Sequence, residues 1–150
     1  MTTTTDTGRV DMGLARDAYR AMAAFDRSIT LDPQLRELVK IRASILNGCA
    51  FCVAMHTKAA REAGESERRL YALSVWHESP LFTERERAAL ALTDAVTDMA
   101  HGRGVPDEVY DRAAEHFEEE ELAQLIWAIA AINVWNRVAV TSHMVFAEVD

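Results

Sequence analysis

Residues 32–64 read DPQLRELVKIRASILNGCAFCVAMHTKAAREAG, and this stretch decides the fold. Asp32-Pro33 is a helix start: a capping side chain precedes a proline where a missing N–H costs nothing. Leu35, Leu38, Val39, Arg42, Ile45 and Leu46 then recur near a 3.6-residue period, as one face of a helix does. Asn47-Gly48 ends that helix, because glycine readily takes the left-handed conformation there. The chain restarts at Cys49, runs helical to about Ala63 and stops at Gly64. A connection this short makes the two helices antiparallel or sharply angled neighbours.

Working outward, the same signals repeat. Leu14 to about Phe25 has helical spacing, and Ser66 to about Trp76 reads as another helix. His77–Phe82 contains Pro80 and reads as a loop. Thr83 and Glu86 form a capping box ahead of an apolar stripe through Ala89, Leu92, Val96 and Met99. Ala100–Val105 is a turn and Pro106–Phe117 a shorter helix. Glu118–Glu121 puts negative charge at a helix start, which the macrodipole favours. Leu122 to about Phe146 continues as helix, with room for one break, and is apolar nearly all round in its middle. Such a helix belongs in the core or at a subunit contact. There is no strand pattern, linker or repeat. The expected fold is all-α: residues 1–13 as a flexible polar tail, and 14–150 as one compact bundle of six or seven helices.

Bulk composition narrows the function. The 150 residues are 49% apolar and 27% charged, as in one soluble domain. Sixteen Lys and Arg against 24 Asp and Glu give a net charge of −8. That balance argues against nucleic acid and against anionic membranes, both of which need clustered cations. Met1–Thr7 lacks the apolar segment of a signal peptide. Leu122–Trp135 is interrupted by Gln124 and Asn133 and is too short to span a bilayer. A cytoplasmic, reducing setting is therefore expected, and the two cysteines, three positions apart, do not look like a secreted disulfide framework.

The chemistry concentrates between Glu37 and His56, in the pattern E-x11-C-x2-C-x3-H. Residues at i, i+3 and i+4 share a helix face, so Cys49, Cys52 and His56 line one side of one helix. Inside a regular helix these β-carbons lie ~5–6 Å apart, whereas a disulfide wants ~3.8 Å. The pair closes only where the backbone can bend, and Gly48 supplies a helix start there. The free amides and positive dipole end of that start stabilise a thiolate. His56 is placed to take a proton from Cys52, and Glu37, on the preceding helix, to orient the imidazole or relay protons through water.

Other readings compete. The cysteines suit a chance pair of buried small side chains, and Glu37 a solvated carboxylate paired with Lys40 or Arg42. Cys49, Cys52, His56 and Glu37 also make four zinc ligands, although structural zinc sites usually bring a second pair from a separate segment. Haem attachment needs CxxCH, and Val53 follows Cys52. His77, His101, His116 and His143 have no partner by spacing and read as surface or structural residues. Trp127 and Trp135 read as core or interface fillers.

The spacing resembles the signature of the alkylhydroperoxidase D family, within the carboxymuconolactone decarboxylase superfamily. Leu35–Val39 and Lys58–Gly64 flank the motif in the family manner, as do the later stretches Phe82–Leu90 and Ile132–Arg137. The likeness spans about residues 14–143, and the superfamily's decarboxylase branch lacks the cysteine pair. The resemblance implies an all-helical homo-oligomer, a trimer or hexamer, that reduces hydroperoxides without metal, flavin or nucleotide cofactor. It implies Cys52 as the peroxide-attacking thiol, Cys49 as the resolving thiol, His56 as the base and Glu37 as the far end of a proton relay. A thiol or dithiol donor would then reopen the disulfide. Some members carry a histidine between the cysteines where this chain has Phe51. A dithiol–disulfide oxidoreductase without peroxidase activity, and a non-catalytic redox sensor or metal-binding module, are the alternatives.

Overall fold

The computed structural model describes residues 8–146, and among these there are seven α-helices and no strands. The helices are α1 (Arg16–Ser28), α2 (Pro33–Leu46), α3 (Ala50–Glu62), α4 (Glu67–Ala72), α5 (Glu84–Thr97), α6 (Asp107–His116) and α7 (Glu119–Ser142). The all-α bundle expected from the sequence is the observed architecture. Of the expected tail, residues 1–7 lie outside the described residues. The part that is described is tied down, since Arg9 N donates to the Ser142 carbonyl at 2.8 Å.

Helix α2 is the axis of the bundle and packs on α3, α5 and α7. Its start is as expected: Asp32 accepts from the Leu35 amide at 2.9 Å and Pro33 sits in the first turn. One flank, Leu35 and Val39, joins Leu92, Leu125, Ile129 and their neighbours in a buried cluster against α5 and α7. The other flank, Leu38 and Ile41, joins Leu70, Leu73, Trp76 and Leu90 in a second cluster. Arg42 belongs to the buried stripe as its spacing suggested, because its charge is matched. Its guanidinium forks onto Asp94 at 2.7 and 3.1 Å and also donates to the Leu73 carbonyl at 3.1 Å.

Two expectations need correction. The Ser66–Trp76 helix is α only over Glu67–Ala72 and tightens to a 3-10 turn over Leu73–Val75. Leu70, Leu73 and Trp76 are all buried, and a three-residue repeat points all three at the same cluster. The last helix, expected to run to about Phe146, ends at Ser142. Helix α7 runs unbroken for 24 residues and ends where His143 takes a left-handed conformation, φ 57°. Its length and composition alone would suffice to cross a membrane, contrary to the shorter apolar stretch read from the sequence. One side of it fills the core, while Trp127 (54% exposed) and Val134 (42% exposed) face outward.

Candidate active site

The α2–α3 connection builds the site. Gly48 adopts φ +66°, the left-handed region that its residue type permits without strain. The chain then turns at Cys49, whose backbone is extended (φ −90°, ψ 95°) and which caps α3 from outside the helix. This is the bend the cysteines needed. Cys49 and Cys52 have Cα atoms 5.4 Å apart and are joined as a disulfide. Cys49 Sγ also accepts a hydrogen bond from the Cys52 amide at 3.3 Å. Both residues are almost fully buried, in a small cluster with Ala139 of α7.

His56 lies one turn beyond Cys52 on α3 and is buried. Its Nδ1 is 2.8 Å from Glu37 Oε2, with only 10% and 15% of the two side chains exposed. An ionised carboxylate can only accept, so Nδ1 donates and Nε2 is left as the basic nitrogen of the ring. Glu37 therefore reaches the imidazole directly. It pairs with neither Lys40 nor Arg42, which turn to Asp26 and Asp94. All four residues singled out from the sequence meet at the α2–α3 hairpin.

A cavity of about 230 Å³ opens onto this cluster. Cys52, Met55 and His56 of α3 line it, with Tyr19 and Asp26 of α1, Trp135 of α7, Phe51 and Met144. Of the two cysteines, Cys52 lines the cavity. The walls are largely apolar. Asp26, Arg27 and His56 are the polar exceptions, and Asp26 is held by Lys40 Nζ at 3.0 and 3.1 Å. Lys40 is only 4% exposed, and a lysine buried so far must be paired with an acid.

The α1 wall, with Asp26 and Tyr19, went unread in the sequence. Lys40 was the available signal: a charge among the buried positions of α2 demands an acidic partner, but its identity depends on how α1 packs. Trp135 is half-buried, stacked edge-on to Tyr19 with centroids 5.6 Å apart, and is a cavity wall rather than a filler. Trp127 is exposed and packs edge-on to Phe25. Among the other histidines, His77 stacks on Trp76 at 3.8 Å and His101 contacts Asp98 at 2.9 Å, both near the surface.

Comparison with known proteins gives consistent relatives. The model of the carboxymuconolactone decarboxylase family matches residues 16–95. The uncharacterized protein YdfG of Bacillus subtilis is 42% identical over 119 residues, 79% of this chain and 80% of its own length. The uncharacterized protein YnjA of Escherichia coli is 34% identical, covering 69% of this chain and 56% of its own. A crystal structure of a protein of unknown function from Agrobacterium tumefaciens, suggested to be the antioxidant defence protein AhpD, superposes with a TM-score of 0.89. It is 41% identical, over 95% of this chain and 99% of its own. The debrominase Bmp8 shares the fold at a TM-score of 0.78 and 23% identity, over 90% of this chain and 74% of its own.

Proposed function

The chain belongs to the carboxymuconolactone decarboxylase family, and from that premise we propose that it is a thiol-dependent peroxidase of the alkylhydroperoxidase D type. One observation carries the reading. Cys52 and His56 face a single apolar cavity, with Glu37 2.8 Å behind the imidazole and Cys49 within bonding reach of Cys52.

The cycle starts from the dithiol. His56 Nε2 takes the Cys52 proton, and Glu37 holds the ring in that tautomer and balances the imidazolium charge. The Cys52 thiolate attacks the terminal oxygen of a hydroperoxide. The O–O bond breaks, the alcohol leaves with a proton, and Cys52 becomes a sulfenic acid. The Cys49 thiol condenses with it, releasing water and forming the disulfide. An external dithiol then attacks that disulfide, is itself oxidised, and restores both thiols. The helix start at Cys49 stabilises thiolate charge through its free amides. No step uses a metal or an organic cofactor. Apolar walls suit an organic hydroperoxide, and the exposed apolar side of α7, with Trp127 and Val134, suits a contact between copies of the chain. A reducing, cytoplasmic compartment fits a disulfide that must reopen.

The test is consumption of cumene hydroperoxide with dithiothreitol as reductant, wild type against Cys52→Ser. Turnover abolished in the variant supports the assignment. A wild type that exchanges its disulfide with dithiothreitol yet consumes no peroxide refutes it in favour of a dithiol–disulfide oxidoreductase. A protein that oxidises once without turnover points to a sensor.

A further inference from the structure

The stretch Ile132–Arg137 resembles the family pattern, yet none of its polar side chains enters the cycle above. In the fold it lies on α7, opposite the turn that precedes Cys49. Asn136 is 1% exposed, an amide in an apolar core. Burying an amide is costly unless its hydrogen bonds are made, and here they are made to the turn. Asn136 Nδ2 donates to Ser44 Oγ at 3.0 Å, and Asn136 Oδ1 accepts from Asn47 Nδ2 at 2.9 Å. Asn47 Nδ2 donates its second hydrogen to Asn133 Oδ1, also at 2.9 Å. Ser44 in turn uses its carbonyl to accept the Cys49 amide at 2.9 Å. One helical turn further along α7, Ala139 packs in one buried cluster with the two cysteines.

We infer that Asn136 and Asn47 are positioning residues for the redox pair: their buried hydrogen bonds clamp the Asn47-Gly48-Cys49 turn and so set how readily Cys49 and Cys52 close to a disulfide. The reasoning is one of effective concentration. Two thiols held in near-bonding geometry close far more readily than two on a loose segment. Cys49 lies outside the helix, so its placement depends on the turn and not on helical periodicity. Four polar groups converging from α7 and the end of α2 leave that turn a single arrangement. Loosening it favours the open dithiol and makes the disulfide easier to reduce.

This inference rests on Cys49 and Cys52 being the working redox pair, but it does not require peroxide to be the substrate. The experiment equilibrates the full chain in graded mixtures of reduced and oxidised dithiothreitol. Free thiols are alkylated and counted by mass. Asn136→Leu and Asn47→Ala are each expected to shift the midpoint about tenfold toward the dithiol, or about 30 mV for a two-electron couple. Leu92→Ala, in the buried cluster on the α5 side, weakens the fold without touching the turn and should leave the midpoint within twofold. Asn47 is only half-buried at the helix end, so its variant carries the test if Asn136→Leu does not fold. Midpoints unchanged in the asparagine variants, or an equal shift in Leu92→Ala, overturn the positioning role. A wild type with no disulfide at any ratio removes the redox pair itself. A shifted midpoint in a protein that consumes no peroxide leaves the clamp standing and sinks only the peroxidase reading.

Discussion

Replacing Glu37 with glutamine tests the proton-handling half of the mechanism without disturbing the sulfurs. Glutamine keeps the length and can still accept from His56 Nδ1, but it carries no charge to balance the imidazolium that forms as Cys52 ionises. The contact is 2.8 Å long and its side chains are 10% and 15% exposed, so water screens it little. A hydrogen bond to a charged group in such a setting contributes about 1.5–3 kcal/mol. At about 1.4 kcal/mol per factor of ten, Glu37→Gln should lower kcat/KM for cumene hydroperoxide by about 10- to 150-fold. The assay is initial-rate peroxide consumption at saturating dithiothreitol, with thermal melting to confirm the fold. The disulfide midpoint is measured in parallel and should stay near the wild-type value, since Glu37 touches neither cysteine. A variant within twofold of wild type would show that the carboxylate does no work in the chemistry. A loss matched by collapse of the fold would make Glu37 a packing residue.

Gly48→Ala places a β-carbon in open space, since no atom lies within 4 Å, yet forces an L-residue to φ +66°. The expected cost is about 1–2 kcal/mol, a fall in Tm of roughly 2–8 °C by calorimetry. Arg42→Ala takes two hydrogen bonds from Asp94, leaving it Trp76 Nε1 at 3.1 Å and His77 Nε2 at 3.4 Å. Urea titration should show a loss of about 1–3 kcal/mol, as for charged hydrogen bonds removed from a partly buried group. Burial pushes the Glu86 carboxyl up, but hydrogen bonds from Arg69 and from the Thr83 amide and hydroxyl outweigh it and hold it below its ordinary value of 4.5. The unfolded chain therefore binds the proton more readily. Glu86 contributes fully above about pH 4.5, and its contribution fades as pH falls through the lower folded value. Urea midpoints between pH 7 and pH 3 should fall less steeply in Glu86→Gln than in wild type.

The helical class, the hairpin at Asn47-Gly48 and the grouping of Cys49, Cys52 and His56 at the start of one helix are legible because all three are local. Capping, left-handed glycine and the i, i+3, i+4 rule act over a few residues, and the two site helices are consecutive in the chain. Even Glu37 could be placed near His56, since the short connection leaves α2 and α3 little choice of neighbour. Where local signals competed with packing they failed. Helical periodicity predicts regular helix to Trp76, but Leu70, Leu73 and Trp76 align on the buried cluster only with a 3-10 turn. Helix α7 runs without a break past Asn133 and Asn136, whose side chains bond sideways to the α2–α3 turn and to Thr97.

By itself, then, the sequence determined most of the helices, their caps and the grouping of Cys49, Cys52 and His56, all of them set by neighbours within a turn or two. Tertiary structure alone decided which acid meets Lys40, that Tyr19 and Trp135 wall the cavity, that Cys52 lines it, and that two asparagines from the last helix hold the turn in front of the cysteines. Those contacts join residues far apart in the chain, 89 positions in the case of Asn47 and Asn136. No local rule ranks one such distant partner over another; the choice is made when the apolar faces of α1, α2 and α7 are buried together and every polar group carried in with them must find a mate.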